Sequence, residues 1–121
     1  MKRTLLGEPC LSWVERRRSP RLDAPHTLRV ELLTGDMPLR LRDVSSGGFL
    51  VATRTAFAPG TQHTFRFLSG GWVSRPLTAV SVHSKPDQQN PSWFQTGFAF
   101  EGHPDGVAEL VDHVTSSLTF L

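Results

Sequence analysis

The sequence has a single cysteine, Cys10, and no apolar run that approaches the roughly 18 residues a membrane helix needs. One thiol builds neither a disulfide framework nor a thiolate metal cluster, so Cys10 reads as inert and a reducing compartment is the simpler expectation. The N-terminal stretch MKRTLLGEPCLSW carries basic residues but no apolar core of signal-peptide length, which points to a cytoplasmic protein. The histidines, at positions 26, 63, 83, 103 and 113, are scattered without ligand spacing, and no second acid or cysteine accompanies them. No resident metal or cofactor is expected. An enzyme is not expected either, because no histidine is placed by the sequence to activate a serine such as Ser45.

What is present is enough for one small core. The chain has 121 residues, within the size that a single core organises, and 38% of them are hydrophobic, with eight Phe and three Trp. Nine Pro and ten Gly indicate short elements joined by turns, which favours a β-rich fold. The net charge is +2, but its distribution is uneven: ERRRSPRL, Glu15 to Leu22, holds Arg16, Arg17, Arg18 and Arg21. Taking those four from the 13 basic groups leaves nine against 11 acidic ones, a net charge of −2. A protein that binds a nucleic-acid polymer spreads its cations along a face or groove, because affinity accumulates over many phosphates. A single focus suits a small anion better.

Along the chain, residues 1–14 show no sustained period and contain Gly7 and Pro9, so they read as a flexible arm ahead of one domain spanning residues 15–121. Alternation then begins. TLRVELL places Leu28, Val30 and Leu32 on one face, and PLRLRDV repeats the pattern with Leu39, Leu41 and Asp43 on one side and Arg40 and Arg42 on the other. FLVAT, HTFRFL, WVSRPLTAVSVHS and WFQTGFAFEG follow, separated by turn signals, and Pro76 in the fifth segment suggests an edge or a bulge. Six short strands without intervening helices predict an all-β fold, an antiparallel barrel or sandwich. From Asp105, read as the N-cap, Val107, Leu110, Val111, Val114 and Leu118 recur at spacings of three and four, the stripe of a C-terminal α-helix laid over an open end of the sheet.

Two stretches carry chemistry. Arg17 and Arg21 are spaced R-x-x-x-R, and Asp43, Ser45 and Gly48, in the turn DVSSGG, are spaced D-x-S-x-x-G. A Ser/Gly turn tolerates positive φ and exposes backbone N–H groups, while Asp and Ser bring a carboxylate and a hydroxyl close together. The paired motifs, together with the late strand TGFAF and the C-terminal helix, resemble the PilZ domain, a family of bacterial receptors for cyclic di-GMP. The resemblance covers roughly Glu15 to Leu121. It implies a six-stranded PilZ-like β-barrel, cyclic di-GMP as the ligand, and Arg17, Arg21, Asp43, Ser45 and Gly48 as the residues that hold it. Arg16 is implied as an additional contact that stacks on a second nucleotide, and Arg18 as a contributor of general charge.

The chemistry of the side chains agrees. Cyclic di-GMP has two phosphodiester charges and two guanines, and the planar fork of arginine binds phosphate oxygens or the guanine O6 and N7 edge and stacks on a ring. A carboxylate suits the guanine N1–H and N2–H₂ edge. Binding in the micromolar range or tighter is expected. With no room in 121 residues for an output domain, the expected role is a receptor or adaptor that passes its signal in trans to an effector protein, in motility or exopolysaccharide regulation. The alternative is a PilZ-shaped interaction module that binds no nucleotide.

Overall fold

The computed structural model describes residues 22–23 and 27–119. The proposed arm at residues 1–14 and all four clustered arginines lie outside these. The elements are β1 (Leu22–Asp23), β2 (Leu28–Leu32), β3 (Leu39–Val44), β4 (Gly48–Thr53), β5 (Gln62–Ser69), β6 (Trp72–Val73), β7 (Leu77–Pro86), β8 (Phe94–Phe100) and α1 (Pro104–Thr119). All ladders are antiparallel, in the order β1-β3-β4-β8-β7-β5-β2, with the short β6 added to β5. Since β2 also returns to the side of β3, the six longer strands form a nearly closed barrel.

Five of those six strands match the segments read from the sequence with little change. The segment WVSRPLTAVSVHS divides instead, into β6 and β7, with Arg75 and Pro76 between them. Proline lacks the N–H that a continuous ladder requires there. β1 was not expected, because two residues beside an arginine cluster give no periodic signal. The helix begins at Pro104, not at Asp105: the His103 carbonyl accepts the Val107 N–H (3.0 Å), which makes His103 the capping position. Proline suits the first helical position because its missing N–H would be unpaired anyway, and Asp105 then sits in the first turn, facing the positive end of the helix dipole.

The core follows from the alternation. Phe49, Val51, Phe65, Phe67, Leu77, Ala79 and Phe98 point inward from β4, β5, β7 and β8 and are almost completely buried. The Phe49 ring meets Phe65 edge-on (centroids 5.0 Å apart) and stacks on Phe98 (5.3 Å). From α1, Val107, Leu110 and Val114 enter the same cluster, so the helical stripe closes the barrel end where β7 begins and β8 finishes. Burying each such side chain contributes about 1.5–3 kcal/mol. Arg75 pairs with Glu109 on the outside of this junction (2.7 Å), and Trp72 stacks on His113 (4.2 Å).

A polar seam crosses the interior at the other end. Thr53 Oγ1 donates to the Thr55 carbonyl (2.9 Å) and pairs with Thr96 Oγ1 (3.0 Å), which pairs with Ser84 Oγ (2.8 Å); Ser84 in turn accepts the Phe57 N–H (3.2 Å). Thr53 and Thr96 are fully buried. Because a hydroxyl has one hydrogen, the Thr53–Thr55 bond fixes the direction of the whole chain: Ser84 donates to Thr96, and Thr96 to Thr53.

Candidate functional site

The turn between β3 and β4 is a two-residue hairpin loop made of Ser46 and Gly47. Ser45 N–H donates to the Gly48 carbonyl (2.8 Å), closing the ladder above the Val44–Phe49 pair. The Ser45 hydroxyl accepts the Gly47 N–H (3.2 Å), and the Gly47 carbonyl accepts the Phe100 N–H (3.0 Å), which ties the turn to the end of β8. Ser45 is 7% exposed, so its hydroxyl first of all orders its own turn. It also reaches the Gly48 carbonyl at 3.4 Å, a long bond that is easily exchanged for a better acceptor.

Gly48 has a different role from the one its turn composition suggested. Neither Gly47 nor Gly48 adopts a positive φ. Gly48 is instead the first residue of β4, and a Cβ built there would overlap the Phe98 carbonyl oxygen of the neighbouring strand. Glycine is needed for close approach, which lets the turn sit down on β8.

Asp43 departs from the expected face. Alternation from Leu39 and Leu41 puts it on the core side, but the register shifts between Leu41, opposite Val51, and Asp43, opposite Leu50. The extra residue is Arg42, and the bulge turns Asp43 to the outer surface while returning Val44, fully buried, to the core. Bulges commonly re-aim a side chain in this way. Arg42 is held by Asp87 (3.0 Å), a carboxylate that is 3% exposed and also accepts the Gln89 N–H (2.9 Å). The bulge is therefore anchored to the β7–β8 loop.

On the outer face Asp43 heads a row that runs across the sheet through Leu50 and Gly97 to His83. A second register shift, between Ser81 and His83, brings the histidine into that row. Its ring lies over Gly97 so closely that a Cβ there would meet His83 Cε1 at 2.7 Å. With Gly48 and Ala99 in the next row, the floor beside Asp43 is built of small residues. Nothing in the amino-acid pattern singles out Leu50 or His83, since their placement depends on two bulges.

Of the predicted site residues, the structure brings Asp43, Ser45 and Gly48 together on one turn, whereas Arg16, Arg17, Arg18 and Arg21 lie outside the described residues. The element that follows them is informative. In β1, Leu22 pairs with Val44 and Asp23 with Asp43, so the two residues that follow Arg21 in the sequence lie alongside the aspartate and its turn. Among the described residues no group of three His, Cys, Asp or Glu side chains is placed to hold a metal ion, and no helix is long and apolar enough to cross a membrane.

No curated protein matches the chain. The family model for the PilZ domain matches residues 15–116, which takes in the arginine segment, the whole barrel and most of α1. That span, the six-stranded barrel with its C-terminal helix, and the D-x-S-x-x-G turn on the outer edge of β3 together establish that the chain belongs to the PilZ domain family, a family of adaptor domains that generally bind cyclic di-GMP.

Proposed function

We propose that the protein is a cyclic di-GMP receptor whose arginine-rich segment closes over the Asp43–Gly48 turn and passes the signal to a partner protein in trans. The observation that supports this best is the β1–β3 ladder. Leu22 lies opposite Val44, the residue before Ser45, and Arg21 is the residue before Leu22 in the sequence. A ligand seated on the outer face beside Asp43 would then meet both motifs.

In this reading Arg17 and Arg21 present their forks to phosphate oxygens and a guanine edge, each bond being charge-assisted. Asp43, turned outward by the bulge, accepts the N1–H and N2–H₂ of a guanine. Ser45 exchanges its long bond to the Gly48 carbonyl for the base or a phosphate, and Gly48 keeps the turn low against β8. Arg16 stacks on a second nucleotide and Arg18 adds charge. Ordering of the segment by the two phosphates creates a surface that a partner in the cytoplasm reads.

The test is calorimetric titration of one sample with cyclic di-GMP, GTP and a short DNA oligonucleotide. Micromolar or tighter binding of cyclic di-GMP alone is the expected result. No heat at about 100 µM cyclic di-GMP overturns the reading, and comparable binding of DNA replaces it with nonspecific charge attraction.

A further inference from the structure

We propose that the outer surface around Trp93 is a docking site for an acidic segment of a partner protein, independent of nucleotide binding. Trp93, at the foot of β8, carries two guanidinium groups over its ring: the Arg40 carbon is 4.9 Å and the Arg54 carbon 5.1 Å from the ring centroid. The two cations are therefore separated by no more than the sum of these distances, about 10 Å. Both arginines are exposed, and among the described residues neither has a carboxylate partner. The nearest acid in the same loop, Asp87, is already taken by Arg42.

The cations belong to a continuous patch. Arg40, Ala52, Gln95 and Lys85 form one row across β3, β4, β8 and β7 on the outer face, and Lys85 is exposed at its far end. Arg40 is the second residue of β3 and stands five residues before Ser45, so the patch lies about 16 Å along the strand from that turn. It is a second surface on the same face.

The kind of partner follows from what is left unsatisfied. With their central carbons over the indole, both arginines remain exposed and keep N–H donors that no carboxylate among the described residues takes, and a guanidinium fork matches the geometry of a carboxylate. Arginine and tryptophan are also the side chains that most often dominate protein interfaces. A base-stacking partner is disfavoured because the guanidinium groups already occupy the ring face. A nucleic-acid backbone needs a longer track of cations than this patch supplies. In an extended segment, residues i and i+2 place two carboxylates on one side about 7 Å apart, within the span of Arg40 and Arg54.

The experiment uses the full chain without nucleotide, so failure of the cyclic di-GMP reading leaves it intact. A short fluorescein-labelled peptide alternating glutamate and threonine is titrated, alongside its glutamine counterpart and a single-stranded DNA oligonucleotide, and the indole N–H resonance of Trp93 is followed. The glutamate peptide is expected to bind, to move the Trp93 signal, and to bind at least about tenfold more weakly to the R40Q/R54Q variant. The R66Q/R75Q variant, whose arginines are paired with Glu31 and Glu109, is expected to bind as the parent does. The proposal is overturned if the peptide leaves Trp93 unmoved at about 1 mM, if both variants lose affinity equally, or if the glutamine peptide or the DNA binds as tightly.

Discussion

The carbonyl oxygen of Phe98 lies where a side chain at Gly48 would have to begin. The contact is with backbone, so no rotamer change relieves it, and either β4 or β8 must move. Gly48→Ala is therefore expected to destabilise the protein by about 3 kcal/mol, measured by urea unfolding. Gly71→Ala, where a Cβ meets nothing within 4 Å, is expected to stay within about 0.5 kcal/mol of the parent. Equal effects would mean that the approach of the turn to β8 is unimportant.

Three ion pairs among the described residues allow a graded comparison. Arg66–Glu31 and Arg75–Glu109 join partners that are both substantially exposed, and removing either arginine is expected to change stability by less than about 1 kcal/mol. Arg42→Ala strands Asp87, which is 3% exposed, and is expected to be the most damaging of the three, at about 1–2 kcal/mol after allowance for the exposure of Arg42. Thermal or urea unfolding of the three variants checks the order.

Nucleotide binding separates a site from diffuse charge. Arg17→Ala, Arg21→Ala and Asp43→Ala are each expected to weaken cyclic di-GMP binding by at least about tenfold in calorimetry. Arg40→Ala, at the opposite end of β3, is expected to leave it unchanged. Similar losses at all four positions would contradict the assignment of the turn.

Hydrogen exchange tests the ordering step. Amides from Glu15 to Arg21 are expected to gain protection when cyclic di-GMP binds, while Leu22–Asp23, Leu28–Leu32 and Phe94–Phe100, already in ladders, change little. An arm that is equally protected in both states would remove the proposed output while leaving the binding site in place.

The barrel was legible because its strands are half-buried: Val30, Phe65, Phe67 and Phe98 carry the period of two that packing against one core imposes. The helix was legible from Val107, Leu110 and Val114 for the same reason. Its start was not, because Asp105 resembles a cap and only the hydrogen bond to the His103 carbonyl reveals that Pro104 opens the helix. The letters of the D-x-S-x-x-G motif were visible, but the face on which Asp43 sits was not. Periodicity assumes an unbroken ladder, and one extra residue at Arg42 inverts everything after it. The same blindness hid His83.

The directed run of hydroxyls from Ser84 through Thr96 and Thr53 to the Thr55 carbonyl has a consequence for folding fidelity. Hydrophobic contacts among the phenylalanines tolerate small displacements, since one ring can replace another. The hydroxyls cannot be so exchanged: sliding β8 by one residue against β4 would bring Gln95 or Gly97 to the place of Thr96 and remove the hydroxyl that both Thr53 and Ser84 bond. The seam thus works as an alignment key, penalising misregistered barrels that an apolar interior alone would accept. It fixes the strand offsets on which the outer row from Asp43 to His83 depends.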